Sequence, residues 1–170
     1  MTTVFVQFAD ASETEIIAVF ACAQNTAAFP NQAQIDERDA RYQAYVNPAS
    51  TLQGAINAQL AALTGAYQAA IQQPVSFTTA GGVTKTFQAD TDSQNVLLIA
   101  TTGYSLAGAT PSGFYWVSSD NTQVPFALAD LKGLYAVMLA QGNVAFQKLQ
   151  ALKVSVRAAT TVAAAQAVSW

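Results

Sequence analysis

An α+β fold is predicted, and three patterns in the sequence carry the prediction. Apolar residues alternate at strand period near the start of the chain, in "TVFVQF" at residues 3–8. Over residues 49–72 they recur at gaps of three and four, the period of an amphipathic helix. Over residues 127–158 gaps of four and three alternate through Leu131, Tyr135, Met138, Gly142, Ala145, Leu149, Leu152 and Val156, which is a seven-residue repeat. The expected architecture is a small N-terminal β-hairpin unit, then two long packed helices with a short antiparallel sheet and a middle helix. Residues 1–46 form the small β unit in this reading, and residues 47–170 a helix-rich domain.

The elements follow in order. Val4, Val6 and Phe8 share one face of the first strand, and "ADASET" turns the chain into "EIIAVFAC" at residues 15–22, expected to be a second and more buried strand. Pro30-Asn31 is a turn, Gln34-Ile35 a short strand, and "DERDAR" a solvated segment. A piece of about 45 residues holds little core by itself, so it is expected to dock on other structure. Asn47-Pro48 punctuates the chain, and Asn47 or Ser50 is available to cap the helix over 49–72. Leu52, Ile56, Leu60, Leu63, Tyr67 and Ile71 form its stripe, and Gln73-Pro74 ends it. In "VSFTTAGGVTKTF" the Gly81-Gly82 pair marks a hairpin between Val75-Phe77 and Val83-Phe87. Residues 91–107 read as the middle helix, 114–118 "FYWVS" as a strand joining the 75–87 hairpin in one sheet, and Asp120-Asn121 as a turn. "TTVAAAQAVSW" closes the chain as a short helix or a tail. The heptad seam of 127–158 fits two settings, a coiled coil with another chain or antiparallel packing on the 49–72 stripe. Gly142 and Ala145 suit close approach, and the flanks lack pairing charges, so packing within the chain is the expectation.

Composition narrows the function. The chain of 170 residues is 52% apolar but only 10% charged, against roughly 25% in ordinary soluble domains. No charged side chain occurs from Tyr42 to Thr84 or from Ser93 to Ser119. Such a surface suits a chain covered by partners. Seven basic residues and a formal net charge of −3 argue against nucleic acid, whose phosphates require a basic patch. The absence of histidine removes Ser-His-Asp and Cys-His catalysis and most zinc chemistry. Cys22 is alone, so no intramolecular disulfide is expected, and "EIIAVFACA" reads as a site for a small buried thiol. "MTTVFVQFAD" has no basic region or apolar signal core, and no apolar run reaches transmembrane length. Synthesis and residence in a cytoplasm are expected, with no membrane insertion, unless an assembly carries the chain out.

"FQADTDSQN", residues 87–95, is the one place where acidic and polar side chains cluster. Read as a calcium loop from Asp90, it puts Asn95 where glycine is needed and Thr101 where glutamate is needed. Read as an acid–base pair, Asp90 and Asp92 lack a nearby cation other than Lys85. Capping explains more. Thr91 with Gln94 fits a capping box, and both aspartates set negative charge at a helix N-terminus.

The same stretch carries a family resemblance. "VTKTFQADTDSQNVLLIA" followed by "FYWVSSDNTQVPFALADLKGLYAVMLAQ" resembles a domain of uncharacterised function that ends many phage and prophage tail proteins. That family shows a long first helix, then a hairpin whose second strand reads like Phe87-x-Ala-Asp90, then a helix start like Ser93-Gln94-Asn95. A strand centred on a tryptophan follows, here Trp116, then a turn like Asp120-Asn121 running to Ala127 and a long terminal helix. The histidine frequent in that last helix is missing here, so no role of it transfers. The likeness spans about residues 49–165. In front of it, "IIAVFACAQNTAAFPNQAQIDERDARYQAYV" is similar to the N-terminal segment of tail-fibre assembly and fibre-associated proteins, with the acidic element at Asp39, Arg41, Tyr42 and Tyr45.

The resemblance implies a non-enzymatic structural component of a bacteriophage tail, bound to the tail fibre or tail tip through protein–protein contacts. It also implies location in the virion tail after assembly in the host cytoplasm. The alternative is a fibre-assembly chaperone that leaves the particle. Partners are tail-fibre or tail-tip proteins, with self-association a further option; no nucleic acid, cofactor or metal is expected, and no catalytic residue. A tail hydrolase acting on glycans would need two carboxylates flanking a groove. Its only candidates, Asp90, Asp92, Asp120 and Asp130, stand where turns and caps would place them. Candidate partner-binding residues are Gln59 and Gln68, off the helix stripe, with Tyr115 and Trp170 as aromatics. Trp116 is expected in the core, with Tyr115 or Val117 on the opposite face. Trp170 either tucks into a groove or is offered to a partner.

Overall fold

A computed structural model describes residues 2–170 and has the expected α+β architecture. By its contacts the chain forms two compact units. One comprises residues 1–61 and 155–169, and the other residues 62–154 with Trp170. The first unit therefore reaches past residue 46 into the first long helix.

In the first unit, β1 (Thr3–Phe8) is the centre of a three-stranded antiparallel sheet, between β2 (Ile16–Phe20) and β3 (Gln32–Asp36). The alternation expected of β1 is present. Val6 and Phe8 are fully buried with Ile16, and Val4, Ala33, Ile35 and Tyr42 pack against them. The expected hairpin is thus extended by a third strand, which pairs with β1 along its length. The expectation that β2 is the more buried strand fails. It lies at the sheet edge, and Ile17 and Val19 point outward at 50% and 37% exposure, because only one face of the pleat has a core to meet. Cys22 follows the end of β2 and is exposed, which overturns the buried-thiol expectation. "DERDAR" also holds more structure than a solvated segment. Asp39 caps α1 (Ala40–Val46), accepting from the Arg41 amide at 2.9 Å and from its guanidinium at 2.7 Å. That guanidinium lies 4.9 Å over the Phe8 ring.

A 3-10 turn (Pro48–Ser50) leads to α2 (Leu52–Ile71). Neither Asn47 nor Ser50 caps this helix; Thr51 does, its hydroxyl accepting from the Gly54 amide at 3.0 Å. Gly54 is required by close approach, since a Cβ there would lie 1.8 Å from the Pro48 carbonyl oxygen. Ala55, Val156 and Ala165 are buried in this unit, the last on α5 (Val162–Ala167).

The second unit is built on one core, with Val75, Phe87, Ala89, Leu97, Val124, Phe126, Leu131 and Leu134 buried. The hairpin of β4 (Val75–Thr78) and β5 (Thr84–Phe87) forms as expected. However, β6 (Tyr115–Val117) does not join it. It pairs instead with β7 (Gln123–Pro125), making a second two-stranded sheet. The Asp120-Asn121 turn, with Asn121 in the left-handed region at φ 60°, folds the chain straight back onto β6. The two hairpins are linked by the Ser119 amide, which donates to the Thr86 carbonyl at 2.8 Å. Phe126 stacks on Trp116 and meets Phe87 edge-on at 5.3 Å.

Between the hairpins runs α3 (Thr91–Ala107), and α4 (Leu128–Arg157) follows them. The heptad residues of α4 are all buried or half-buried, as a packed seam requires. Gly133 leaves room for Phe77, whose ring atoms would stand 2.8 Å from a Cβ at that position. Within this unit, α4 meets the end of α2. Gln141 donates its side-chain amide to the Ala70 and Gln73 carbonyls at 3.1 and 2.9 Å, and so satisfies acceptors that a helix C-terminus leaves without partners. No helix among the described residues is long and apolar enough to cross a membrane.

Candidate functional site

The acidic stretch is a helix cap. Asp90, one residue earlier than the expected Thr91, is the N-cap of α3. Its carboxylate accepts from the Ser93 amide at 3.0 Å and the Ser93 hydroxyl at 2.7 Å. These two donors, the amide first, hold the Asp90 carboxyl below its ordinary range. Asp92 lies exposed in the first helical turn, where negative charge meets the positive end of the helix dipole. Gln94 does not complete a box with Thr91; its amide donates to the Ile71 and Ala89 carbonyls at 2.9 and 2.7 Å.

The other two aspartates are tied down as firmly. Asp120 in the β6–β7 turn accepts from Lys85 Nζ at 2.7 Å and from the Ser118 hydroxyl at 2.5 Å. The Lys85 contact foremost, then the Ser118 and Thr122 hydroxyls, push its pKa far below the ordinary carboxylate range. Asp130, in the first turn of α4, is buried at 5% exposure. It accepts from the Ala127 amide at 2.8 Å and, across fifty residues of sequence, from the Ala80 amide at 2.7 Å. It therefore pins the β4–β5 turn to the start of α4. A general acid must keep its proton near neutral pH, which requires a raised pKa. The depressed values at Asp90 and Asp120 run the other way. Among the described residues no group of three His, Cys, Asp or Glu side chains could hold a metal ion.

The partner-binding candidates divide. Gln59 is half-buried and turned inward, donating its amide to the Val168 carbonyl, so its side chain does not present an open polar face. Gln68 is exposed. Tyr115 and Val117 are 46% and 47% exposed while Trp116 packs on the core, the alternation expected of that strand. Of the two settings open to Trp170, the structure has the tucked one. The indole is half-buried in a groove with Val137, Val144 and Lys148 of α4, and Lys148 Nζ stands 4.8 Å over the ring.

Three concave features were not legible from motifs. A hollow of about 430 Å³ is lined by Ser76, Thr84, Thr86, Ser119 and the Lys85–Asp120 pair. A groove of about 460 Å³ runs among Tyr67, Ile71, Leu98, Tyr135, Met138 and Phe146, with no charged side chain in its walls. A second, of about 500 Å³, lies along the other flank of α3 against Phe114 and Trp116. The signal that marks the two α3 grooves in sequence is the charge-free run from Ser93 to Ser119, whose apolar residues outnumber those α3 buries.

Comparison with known proteins bears on the C-terminal two thirds of the chain. A model for a domain of unknown function, DUF4376, matches residues 54–169. No curated protein and no solved structure matches the chain. The match takes in α2 from Gly54 onward, both small hairpins, α3, α4 and α5, and it covers more than half of the sequence: the chain belongs to the DUF4376 family.

Proposed function

We propose that the chain is a non-enzymatic structural component of a bacteriophage tail, held to the tail fibre or tail tip by nearly uncharged protein–protein contacts. The observation that carries this reading is the outer surface of the charge-free run. There Val96, Ile99 and Leu106 are 55%, 71% and 88% exposed with no charged neighbour in sequence between Ser93 and Ser119. Side chains of this kind contribute most when a partner removes them from water. The sequence likeness to phage tail proteins supplies the kind of partner, and the capping and bridging duties of Asp90, Asp120 and Asp130 support a role without catalysis. The chain is made in the host cytoplasm in this reading and ends in the virion tail.

Contacts built on apolar burial are insensitive to screening, whereas ion pairs weaken as the Debye length shrinks to about 3 Å at 1 M salt. The complex of this chain with its tail or fibre should therefore survive a wash at about 1 M sodium chloride. Release at that salt concentration would point to charge-based attachment and sink the proposal.

A further inference from the structure

We infer that the hollow between the two small hairpins of the second unit is a binding site for an uncharged, polyhydroxylated ligand, a saccharide unit. The β4–β5 hairpin buries Val75 and Phe87, a cross-strand pair, on its inner face. Strand alternation then sends Ser76, Thr78, Thr84 and Thr86 to the outer face, where all four are exposed. The outward side of this hairpin is thus made of hydroxyls. The β6–β7 turn closes one flank of it. The Ser119 amide donates to the Thr86 carbonyl at 2.8 Å, and Lys85 Nζ donates to Asp120 at 2.7 Å and to the Thr122 hydroxyl at 3.4 Å. These bonds fix the walls of the hollow of about 430 Å³, which are Ser76, Thr84, Lys85, Thr86, Ser119 and Asp120. That volume lies in the range of small-molecule sites, roughly 300–1,000 Å³.

The wall chemistry selects the class of ligand. No apolar side chain lines the hollow, so an apolar ligand would leave its hydroxyls without partners. A cation such as calcium takes about six to eight oxygen ligands, several of them carboxylates. Here there is one carboxylate, already paired with Lys85. An anion gains little either, because that carboxylate neutralises the one ammonium and stands beside it. Lys85 foremost, then the Ser118 and Thr122 hydroxyls, hold the Asp120 carboxyl far below its ordinary range. The pair therefore stays ionised, with no net charge, at neutral pH. What fits is a neutral ligand that both donates and accepts.

The groups left over match such a ligand. The Ser76, Thr86 and Ser119 hydroxyls bond to no other described residue, and each offers one donor and two acceptor sites. Lys85 has a third N–H and Asp120 further lone pairs. Neighbouring hydroxyls on a sugar ring can accept from Lys85 and donate to Asp120 together, and such charge-assisted bonds are the stronger kind. Affinity is nonetheless modest. The hollow is open to water, which competes for each hydrogen bond, and no aromatic ring lines it to stack on a sugar face. A dissociation constant in the millimolar range follows. The inference goes beyond the tail reading and does not depend on it, because it is tested on the purified chain alone.

Proton–nitrogen correlation NMR of the full chain reads binding residue by residue. Titrations with methyl α-D-glucoside, methyl α-D-galactoside and N-acetyl-D-glucosamine, each to about 100 mM, cover the expected affinity. At least one sugar should give saturable shifts centred on the amides of Ser76, Thr86 and Ser119, half-complete at about 1–30 mM. The triple variant Ser76→Ala/Thr86→Val/Ser119→Ala removes exposed hydroxyls and leaves the Lys85–Asp120 pair, so its melting should match the parent while sugar binding weakens at least about tenfold. Sodium phosphate and calcium chloride, titrated in parallel, should give no saturable shift at the hollow. Absence of saturation with all three sugars, saturation by phosphate or calcium in their place, or undiminished sugar binding by the triple variant overturns the inference.

Discussion

Replacing Asp130 tests whether this carboxylate is a structural clamp. Its oxygens satisfy two backbone amides, Ala80 and Ala127, from 2.7 and 2.8 Å, and the side chain is buried. Hydrogen bonds to a charged group contribute about 1.5–3 kcal/mol each when both partners leave water. Ala80 and Ala127 are themselves exposed residues, so water can partly replace the carboxylate and the lower half of that range applies. At about 1.5 kcal/mol for each of the two bonds, with about 0.5 kcal/mol more for the charge lost from the first turn of α4, Asp130→Ala should then cost about 3.5 kcal/mol. Asp130→Asn keeps one acceptor oxygen and presents an NH₂ group to the other amide, so it should cost less than alanine but more than 1 kcal/mol. Urea unfolding at neutral pH, with slopes compared to confirm a common unfolded state, measures both. A change below about 0.5 kcal/mol for Asp130→Ala would refute the clamp. It would reopen the question of why a carboxylate is buried at the start of α4.

Three further changes probe other parts of the structure. Gly54→Ala should destabilise by about 3 kcal/mol despite the gain in helix propensity, because the new Cβ would collide with the Pro48 carbonyl at 1.8 Å; a neutral result in thermal melting would show that the 3-10 turn yields freely. Thr101→Val should raise stability by about 1 kcal/mol, since the Thr101 hydroxyl is buried with no hydrogen-bond partner among the described residues and valine has nearly the same shape; a loss of stability on urea unfolding would contradict this. Asp39 has its carboxyl pKa lowered from 3.8 to about 2, first by the hydrogen bond from the Arg41 side chain. The folded state therefore holds this proton less tightly than the unfolded state. The stabilisation is fully present above about pH 4 and is lost as the pH falls toward 2. Asp39→Asn should flatten the stability–pH curve in that window, and an unchanged curve would count against the pair.

The parts of the fold that were legible in sequence are those where one periodic pattern meets one core. β1, the β4–β5 hairpin and the seam of α4 were placed because Val6, Phe87 and Leu131 recur with neighbours at strand or helix spacing and are buried together with them. Helix α1 was missed because seven residues with no buried side chain leave no stripe; its signal lay in Asp39 as a cap. The pairing of β6 was misplaced because strand period marks a strand without naming its partner, and the tight turn at Asn121 decided it. At the candidate site, the capping role of Asp90 could be read locally, since donor and acceptor lie within three residues. The hold of Asp130 on Ala80 and that of Gln59 on Val168 could not, because each joins residues far apart in the chain. Exposure on α3 was hidden for a different reason. Apolar residues at helical spacing read as core, and only the packing shows that Leu97 and Thr101 face inward while Ile99 and Leu106 do not.

The proposed tail role is tested most directly by counting this chain in phage particles purified from cells that carry its gene. Quantitative mass spectrometry against labelled peptides, with the fibre and tail-tip proteins measured in the same digest, gives the ratio. A retained structural component should appear at a fixed whole-number ratio to one of those proteins, unchanged by a high-salt wash. A chain absent from particles, yet needed for the fibre to fold or assemble in the infected cell, would contradict retention and establish the chaperone in its place.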